Sequence, residues 1–146
     1  MHSPIHRILI DKGHQVHTIA PTASVCDAVR AMSRHGVGSL VVEIDGAVLG
    51  LIAERDLLIR CVGAGRDPRT TLVAEVMQAD PVVISPQTLV GEAMSLMTDR
   101  RTRHLPVVQG SRLVGLVSIG DLTRWMTRHL QDQVEHLERY ISGAYS

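Results

Sequence analysis

Gly50–Leu57 reads GLIAERDL, and Gly115–Leu122 reads GLVSIGDL, the same stretch returning 65 positions later. In both copies an apolar run is followed by polar residues and an aspartate, Asp56 or Asp121. The same offset aligns residues 16–60 with residues 81–125 without a gap. A period this long exceeds that of a solenoid and predicts a small supersecondary unit used twice.

Each repeat carries the signals of a helix, a hairpin and a second helix. In the first repeat a short extended segment precedes a helix that starts at Val25 and ends at Gly36. Two apolar runs then flank Asp45-Gly46, a strong hairpin turn signal, and a further helix opens at Asp56. The second repeat keeps this order. Both are therefore predicted to be β-α-β-β-α units of an α/β (α+β) fold.

We predict a first unit with an N-terminal helix over residues 1–63, a linker over 64–72 and a second unit over 73–125. An amphipathic C-terminal helix continues over residues 126–143 and makes a helix of about 20 residues. Its apolar stripe runs at spacings of three and four: Leu122, Met126, Leu130, Val134, Leu137 and Ile141. The stripe continues past the end of the second repeat, where no further unit of the chain could cover it. We therefore predict that a second copy of the chain covers it in a homodimer. Folding back onto the same unit is the alternative.

The composition argues against several classes of function. The chain has 146 residues, 45% hydrophobic and 21% charged, with a formal net charge of zero and 2% aromatic residues. These values are typical of a folded soluble protein and argue against nucleic acid or membrane as a partner. No apolar run reaches the roughly 20 residues that span a bilayer, so a cytoplasmic protein is predicted. The eight histidines show no metal-ligand spacing, and no catalytic set is recognisable, so neither a metal site nor an enzyme is expected.

The second repeat ends in a candidate anion site. Ser118, Ile119, Gly120 and Asp121 lie where a strand passes into a helix. Ser-x-x-Asp is close to a capping box, so both side chains could serve only the helix end. The first repeat, however, keeps the aspartate and has Ala53 in place of the hydroxyl, which favours a further role. The amides of a helix N-terminus suit phosphate, and a carboxylate one turn on could accept both hydrogens of a ribose diol.

A basic stretch, Arg100–His104, leads into the following strand. Arginine is suited to phosphate oxygens, although a solvated basic loop is the alternative. The equivalent stretch of the first repeat, Gly36–Leu40, is small and neutral. The two halves are therefore predicted to form unequal sites.

The tandem unit with its Gly-x-x-(Ser/Thr)-x-x-Asp ending resembles a pair of CBS (cystathionine β-synthase) domains over essentially the whole chain. Glu54–Asp56, Arg103–Val107 and Ser118–Asp121 are similar to a stand-alone bacterial subfamily that also carries Lys12-Gly13 and the long C-terminal helix. The resemblance implies two units packed pseudo-symmetrically through their sheets, two clefts, and dimers shaped as flat disks. It also implies adenosyl ligands such as AMP, ADP, ATP, NAD(H) or S-adenosylmethionine.

Carried over residue by residue, the resemblance gives one main cleft and one weaker cleft. In the main cleft Asp121 would hold ribose, and Ser118 with Ile119 and Gly120 at the helix N-terminus would hold phosphate. The remaining members would supply positive charge or flank the base: Arg103, His104, Thr18, Ile19, Val37, Gly38 and Ser39. The weaker cleft would use Asp56, Arg55, Val83 and Ile84, with Lys12 compensating for Ala53.

The function predicted is a regulatory sensor that binds an adenine nucleotide between the two units and signals to a separate, unidentified protein. AMP is the first expected ligand, with NAD(H) or ATP next, and no catalytic cofactor is expected. Two alternatives stay open. One is a ligand-free assembly or dimerisation module, and the other is a nucleic-acid binder that uses the arginine cluster.

Overall fold

The computed structural model describes residues 2–145. The first repeat forms helix α1, strand β1, helix α2, strands β2 and β3, and helix α3, which continues as a π-helix over Leu57–Val62. Their bounds are Ile5–Lys12, Thr18–Ile19, Val25–His35, Ser39–Ile44, Ala47–Ala53 and Glu54–Asp56. The second repeat forms α4, β4, α5, β5, β6 and α6. These span Val73–Val76, Gln78–Ala79, Val90–Arg100, His104–Gln109, Arg112–Ser118 and Ile119–Tyr145.

Local signals place the helix and hairpin ends as predicted. Ser24 and Asp27 cap α2 reciprocally, and Gly36 ends it in the left-handed conformation at φ 63°. Asp45 and Gly46 have φ values of 50° and 84°, as a two-residue hairpin turn requires. The mixed α/β class is therefore confirmed.

The two halves are built alike but differ in the strands on either side of the hairpin. In the first half β1 pairs with β2 in parallel, and β2, β3 and β4 continue as an antiparallel sheet. In the second half β5 and β6 form an antiparallel hairpin, and a single parallel bridge from Ile84 to Val107 takes the place of β1. Each hairpin has a register shift at the same repeat position, after Val42 and after Val107.

Each of the short helices that precede the repeats packs in the core of the other unit. Ile5, Ile8 and Leu9 of α1 are buried in the core of the second unit, together with Leu105 and Leu122. Val73 and Val76 of α4 are buried in the core of the first unit. The N-terminal helix therefore precedes the first unit in the chain but packs in the core of the second. The predicted domain bounds stay a prediction.

A missing side chain on each hairpin makes room for the exchanged helix. A Cβ atom at Gly115 would lie 2.7 Å from Leu9 Cδ2, and one at Gly50 would lie 2.5 Å from Met77 Sδ. The glycines that the repeat retains at these positions therefore let α1 and the segment after α4 approach β6 and β3.

Helix α6 has 27 residues, longer than the 20 or so predicted. Its first turns are part of the core, since Leu122 is fully buried and Met126 packs against the same cluster. Farther along, Leu130, Val134, Leu137 and Ile141 are more than half exposed. The homodimer that would cover them stays a prediction. Within residues 2–145 no helix is long and apolar enough to cross a membrane.

Candidate functional site

The site is built where β6 ends at Ser118 and α6 begins at Ile119. The Ser118 amide donates to Asp121 Oδ2 at 2.8 Å, and the Asp121 amide donates to Ser118 Oγ at 3.1 Å. These reciprocal bonds are those of a capping box. The capping role considered from the sequence is therefore present at Asp121.

Asp121 also holds two cations. Lys12 Nζ lies 2.7 Å from Oδ2, and Arg124 Nη2 lies 2.8 Å from Oδ1. The Asp121 side chain is only 8% exposed. Burial alone would raise the pKa of Asp121, but hydrogen bonds from Lys12 and Ser118 and the charge of Lys12 hold the pKa below its usual value. Asp121 is therefore an ionised anchor that fixes two cations at a helix N-terminus.

Lys12 lies in the Asp121 site and not in the predicted Asp56 cleft. Its ammonium group also donates to the Leu116 carbonyl at 2.7 Å. The reason is the exchange of helices, because α1 packs on the second unit and its last turn reaches the end of β6. The predicted compensation of Ala53 by Lys12 is therefore wrong.

Arg103 and His104 join this site through the hairpin. His104 pairs with Ser118 in the β5–β6 register, and the Arg103 carbonyl accepts the Ile119 amide at 2.9 Å. Burial lowers the pKa of His104 from 6.5, and the charges of Lys12 and Arg103 lower it further, against an opposing effect of Asp121. A neutral imidazole therefore lies next to the cations.

Two clefts flank the first turns of α6. One, of about 200 Å³, is lined by Ile8, Asp11, Lys12, Asp121, Arg124, Trp125 and Arg128. The other, of about 560 Å³, is lined by Arg103, Ile119, Gly120, Thr123, Arg124, Thr127 and Arg128. Arg124 and Arg128 line both, so the positive charge is continuous around the helix N-terminus.

The equivalent end of the first unit has fewer cations. Asp56 Oδ2 accepts the Ala53 amide at 2.9 Å and the neutral Gln78 side chain at 3.0 Å, and Arg60 Nε lies 3.9 Å from Oδ1. Arg55 is exposed. Gln78 thus takes the position that Lys12 has in the second unit. Asp56 has one cation, at 3.9 Å, whereas Asp121 has two within 2.8 Å.

Val37, Gly38 and Ser39 lie at the Asp56 end. The Gly38 carbonyl accepts the Glu54 amide at 3.0 Å, and Ser39 pairs with Ala53. The start of β2 and the end of β3 meet at this end of the hairpin. The contact of these three residues with a base in the Asp121 cleft stays a prediction. This end has a cleft of about 440 Å³ that Glu54, an acid, helps to line.

Four further residues predicted to flank a base lie in or beside the sheets. Thr18 and Ile19 pair with β2 of the first unit, and Ile84 bridges to β5 of the second. Val83, next to it, is 45% exposed. Their contact with a base stays a prediction.

Sequence reasoning missed Arg124, Arg128, Trp125 and Gln78. Arg124 follows Asp121 by three positions, a helical ion-pair spacing that could have revealed it. Gln78 and Trp125 carried no comparable signal. The indole Nε1 of Trp125 is a buried donor without a hydrogen-bond partner among the described residues.

The fold and the two aspartate-bearing turns define a tandem pair of related α/β units. The family model for the CBS domain matches residues 6–63 and again 73–128. The chain therefore belongs to the CBS-domain family and carries the domain twice.

Three similar proteins give this assignment its context. The mitochondrial CBS domain-containing protein CBSX3 of Arabidopsis thaliana is 39% identical over 84% of this chain, which spans 62% of that protein. A proposed signal-transduction protein with CBS domains from Burkholderia ambifaria is 35% identical, with a TM-score of 0.81 over 85% of this chain and 93% of that one. A hexameric CBS-CP12 protein from bloom-forming cyanobacteria is 31% identical, with a TM-score of 0.75 over 84% and 71%.

Proposed function

We propose that this protein is a regulatory module that binds an adenine nucleotide at the Asp121 site and signals to a separate protein. AMP is the first expected ligand, followed by NAD(H) and ATP. The observation that carries the proposal is the convergence of Lys12 and Arg124 on Asp121 at the N-terminus of α6, with Arg103 and His104 beside them. No catalytic step is part of the proposal.

The cations suit a phosphate group. A helix N-terminus carries partial positive charge that favours anions, and guanidinium groups match phosphate oxygens. The Arg124 side chain is 66% exposed, so it can turn from Asp121 to a phosphate with little loss of packing. Lys12 then remains on Asp121 and keeps the carboxylate ionised.

Asp121 suits the ribose of the same ligand. When Arg124 turns away, Oδ1 becomes open to hydroxyl groups, while Oδ2 keeps Lys12 and the Ser118 amide. Each charge-assisted bond from a hydroxyl contributes about 1.5–3 kcal/mol. The exchange of Arg124 for a ribose diol is therefore the binding step that we propose.

The test is a thermal-shift panel of AMP, ATP, NAD, NADH and S-adenosylmethionine, with guanosine monophosphate as the base control. A ligand at 100 times its Kd adds about 2.7 kcal/mol of stability, and each kcal/mol raises Tm by roughly 2–4 °C in a chain of this size. The fluorescence of Trp125, the single tryptophan, gives a second readout because its ring lines the cleft.

Two matched variants locate the site. We expect Asp121→Asn to lose the ligand-dependent rise in Tm and Asp56→Asn, its equivalent in the other repeat, to keep it. Each rise is taken relative to the same variant without ligand, so an effect on the fold alone does not count. A rise that survives Asp121→Asn, or no rise with any ligand, contradicts the proposal.

A second candidate function rests on α6. Its exposed apolar stripe favours an assembly module in which two chains pair through this helix and the helices of the CBS units. We propose a homodimer for this reason, tested by analytical ultracentrifugation at micromolar concentration. If the dimer forms and no nucleotide binds, assembly becomes the function that the site supports best.

A further inference from the structure

Past Met126 the apolar stripe of α6 leaves the core of its own chain. Leu130, Val134, Leu137 and Ile141 are 57%, 52%, 59% and 55% exposed. The helix nevertheless continues unbroken through all four positions. A row of half-exposed aliphatic side chains on a continuous helix is a docking surface.

The identities within this row indicate what covers it. Spacings of four, three and four residues are those of the a and d positions of heptads. Leu130 and Leu137 then occupy d, and the β-branched residues Val134 and Ile141 occupy a. In parallel coiled coils, β-branched residues at a with leucine at d favour two strands over three or four. The row therefore matches a second copy of itself.

We propose that α6 pairs with α6 of a second copy as a parallel, in-register coiled coil over residues 130–141. This rests on the proposed homodimer and adds its orientation, and it is independent of nucleotide binding. Two heptads are fewer than the three or four that mark a self-sufficient coiled coil. The seam therefore forms as part of a wider dimer contact.

The positions beside the seam are compatible with this pairing. Gln133 at position g faces Glu138 at position e of the other helix, which joins an amide to a carboxylate without like-charge repulsion. Asp132 and Arg139 occupy the outer f positions.

A parallel pair determines where the two Asp121 sites lie relative to each other. Asp121 precedes Leu130 by nine positions, about 14 Å along the helix. Both Asp121 sites then lie at the same end of the pair, on adjacent CBS units. An antiparallel pair would place them at opposite ends.

Cysteine cross-linking tests the orientation. The half-buried Cys26 is first replaced by serine, and the buried Cys61 is kept. In this background Leu137→Cys should form a covalent dimer under mild oxidation, because equivalent d positions face each other within disulfide reach. Arg139→Cys, two residues away on the outer face, is the matched control and should stay uncross-linked. Leu137 is 59% exposed, so the fold should persist, which circular dichroism checks.

Each contrary result has its own meaning. Rapid cross-linking only when Val134→Cys and Leu137→Cys chains are mixed indicates an antiparallel pair and overturns the proposal. If the wild-type protein is a dimer in the ultracentrifuge but neither cysteine experiment gives a cross-link, the dimer interface lies elsewhere. That result overturns the coiled coil and leaves the homodimer standing. A wild-type monomer overturns the seam together with the homodimer, while leaving nucleotide binding to its own test.

Discussion

Lys12 Nζ lies 2.7 Å from Asp121 Oδ2, although the two residues are 109 positions apart in the chain. This bond joins the last turn of α1 to the first turn of α6. The Lys12 side chain is 35% exposed and that of Asp121 is 8% exposed, so the pair is partly shielded from solvent. One of the two cations on Asp121 therefore comes from a helix that precedes both repeats.

Replacing Lys12 should lower the free energy of unfolding, and the loss should be smaller when the new side chain can still donate a hydrogen bond to Asp121. Lys12→Met leaves a nearly buried carboxylate with one cation, and we expect a loss of about 1–2 kcal/mol, since Arg124 and the Ser118 amide remain. Lys12→Gln imitates Gln78 at Asp56 and should cost less. Urea denaturation of both variants measures the difference.

The matched control is Gln78→Met, which removes the neutral donor from Asp56. It should cost less than Lys12→Met because no charge pair is lost. Equal losses at the two positions would mean that the ion pair adds nothing beyond a hydrogen bond.

The order of elements could be predicted from the sequence because its causes are local. Asp45-Gly46 makes a turn and Gly36 ends a helix regardless of the rest of the chain. The exchange of α1 and α4 could not be predicted. Ile5, Ile8 and Leu9 define an apolar face, but such a face does not specify which of two similar cores it covers.

The same limit applies to the site. Ser118, Asp121 and His104 were predicted together, and one hairpin with its following helix brings them together. Lys12 and Gln78 come from segments outside the aligned repeat. Which aspartate each contacts therefore depends on the unit against which α1 and α4 pack. Strand pairing places Val37–Ser39 beside Glu54, and their predicted reach across to the Asp121 cleft stays a prediction.

Adding a methyl group at the two repeat glycines should destabilise the protein unequally. A Cβ atom at Gly50 would meet the Gln78 carbonyl at 2.8 Å as well as Met77, whereas one at Gly115 would meet only the side chain of Leu9. Because backbone cannot move aside as a side chain end can, Gly50→Ala should cost more than Gly115→Ala. Overpacking of this kind typically costs about 1–3 kcal/mol.

Urea midpoints of the two alanine variants test this order. Shortening Leu9 to alanine in the Gly115→Ala background should relieve the clash there, although the lost burial of Leu9 limits the recovery. A larger loss at Gly115 than at Gly50 would contradict the predicted order, and no loss at Gly115 would contradict the packing of α1 against β6.

His104 should make stability depend on pH. Its folded pKa is lowered, chiefly by burial, so the unfolded chain takes up a proton more readily. Its contribution is therefore fully present above pH 6.5 and is lost as pH falls from there through the folded pKa. His104→Gln should flatten this part of the profile, as measured by urea unfolding between pH 5 and 8.

The control is His35→Gln, because the pKa of His35 is also lowered, by desolvation against its neighbours and by the charge of the stacked His17. An exposed side chain should contribute a smaller slope than His104. If removing His35 flattens the profile and removing His104 does not, the stacked pair His17 and His35 is the source of the pH dependence.

A hydroxyl at position 53 should stabilise the first unit. Ala53 precedes α3 with the extended backbone of a helix cap, φ −120° and ψ 164°, but makes no side-chain cap bond. Ser118 makes that bond at the equivalent position. Ala53→Ser should therefore add about 0.5–2 kcal/mol, and Ser118→Ala should remove a similar amount. Urea midpoints of both measure the effect. A loss at Ser118 without a gain at Ala53 would mean that the hydroxyl acts through the cations around Asp121, which the Asp56 end has in smaller number.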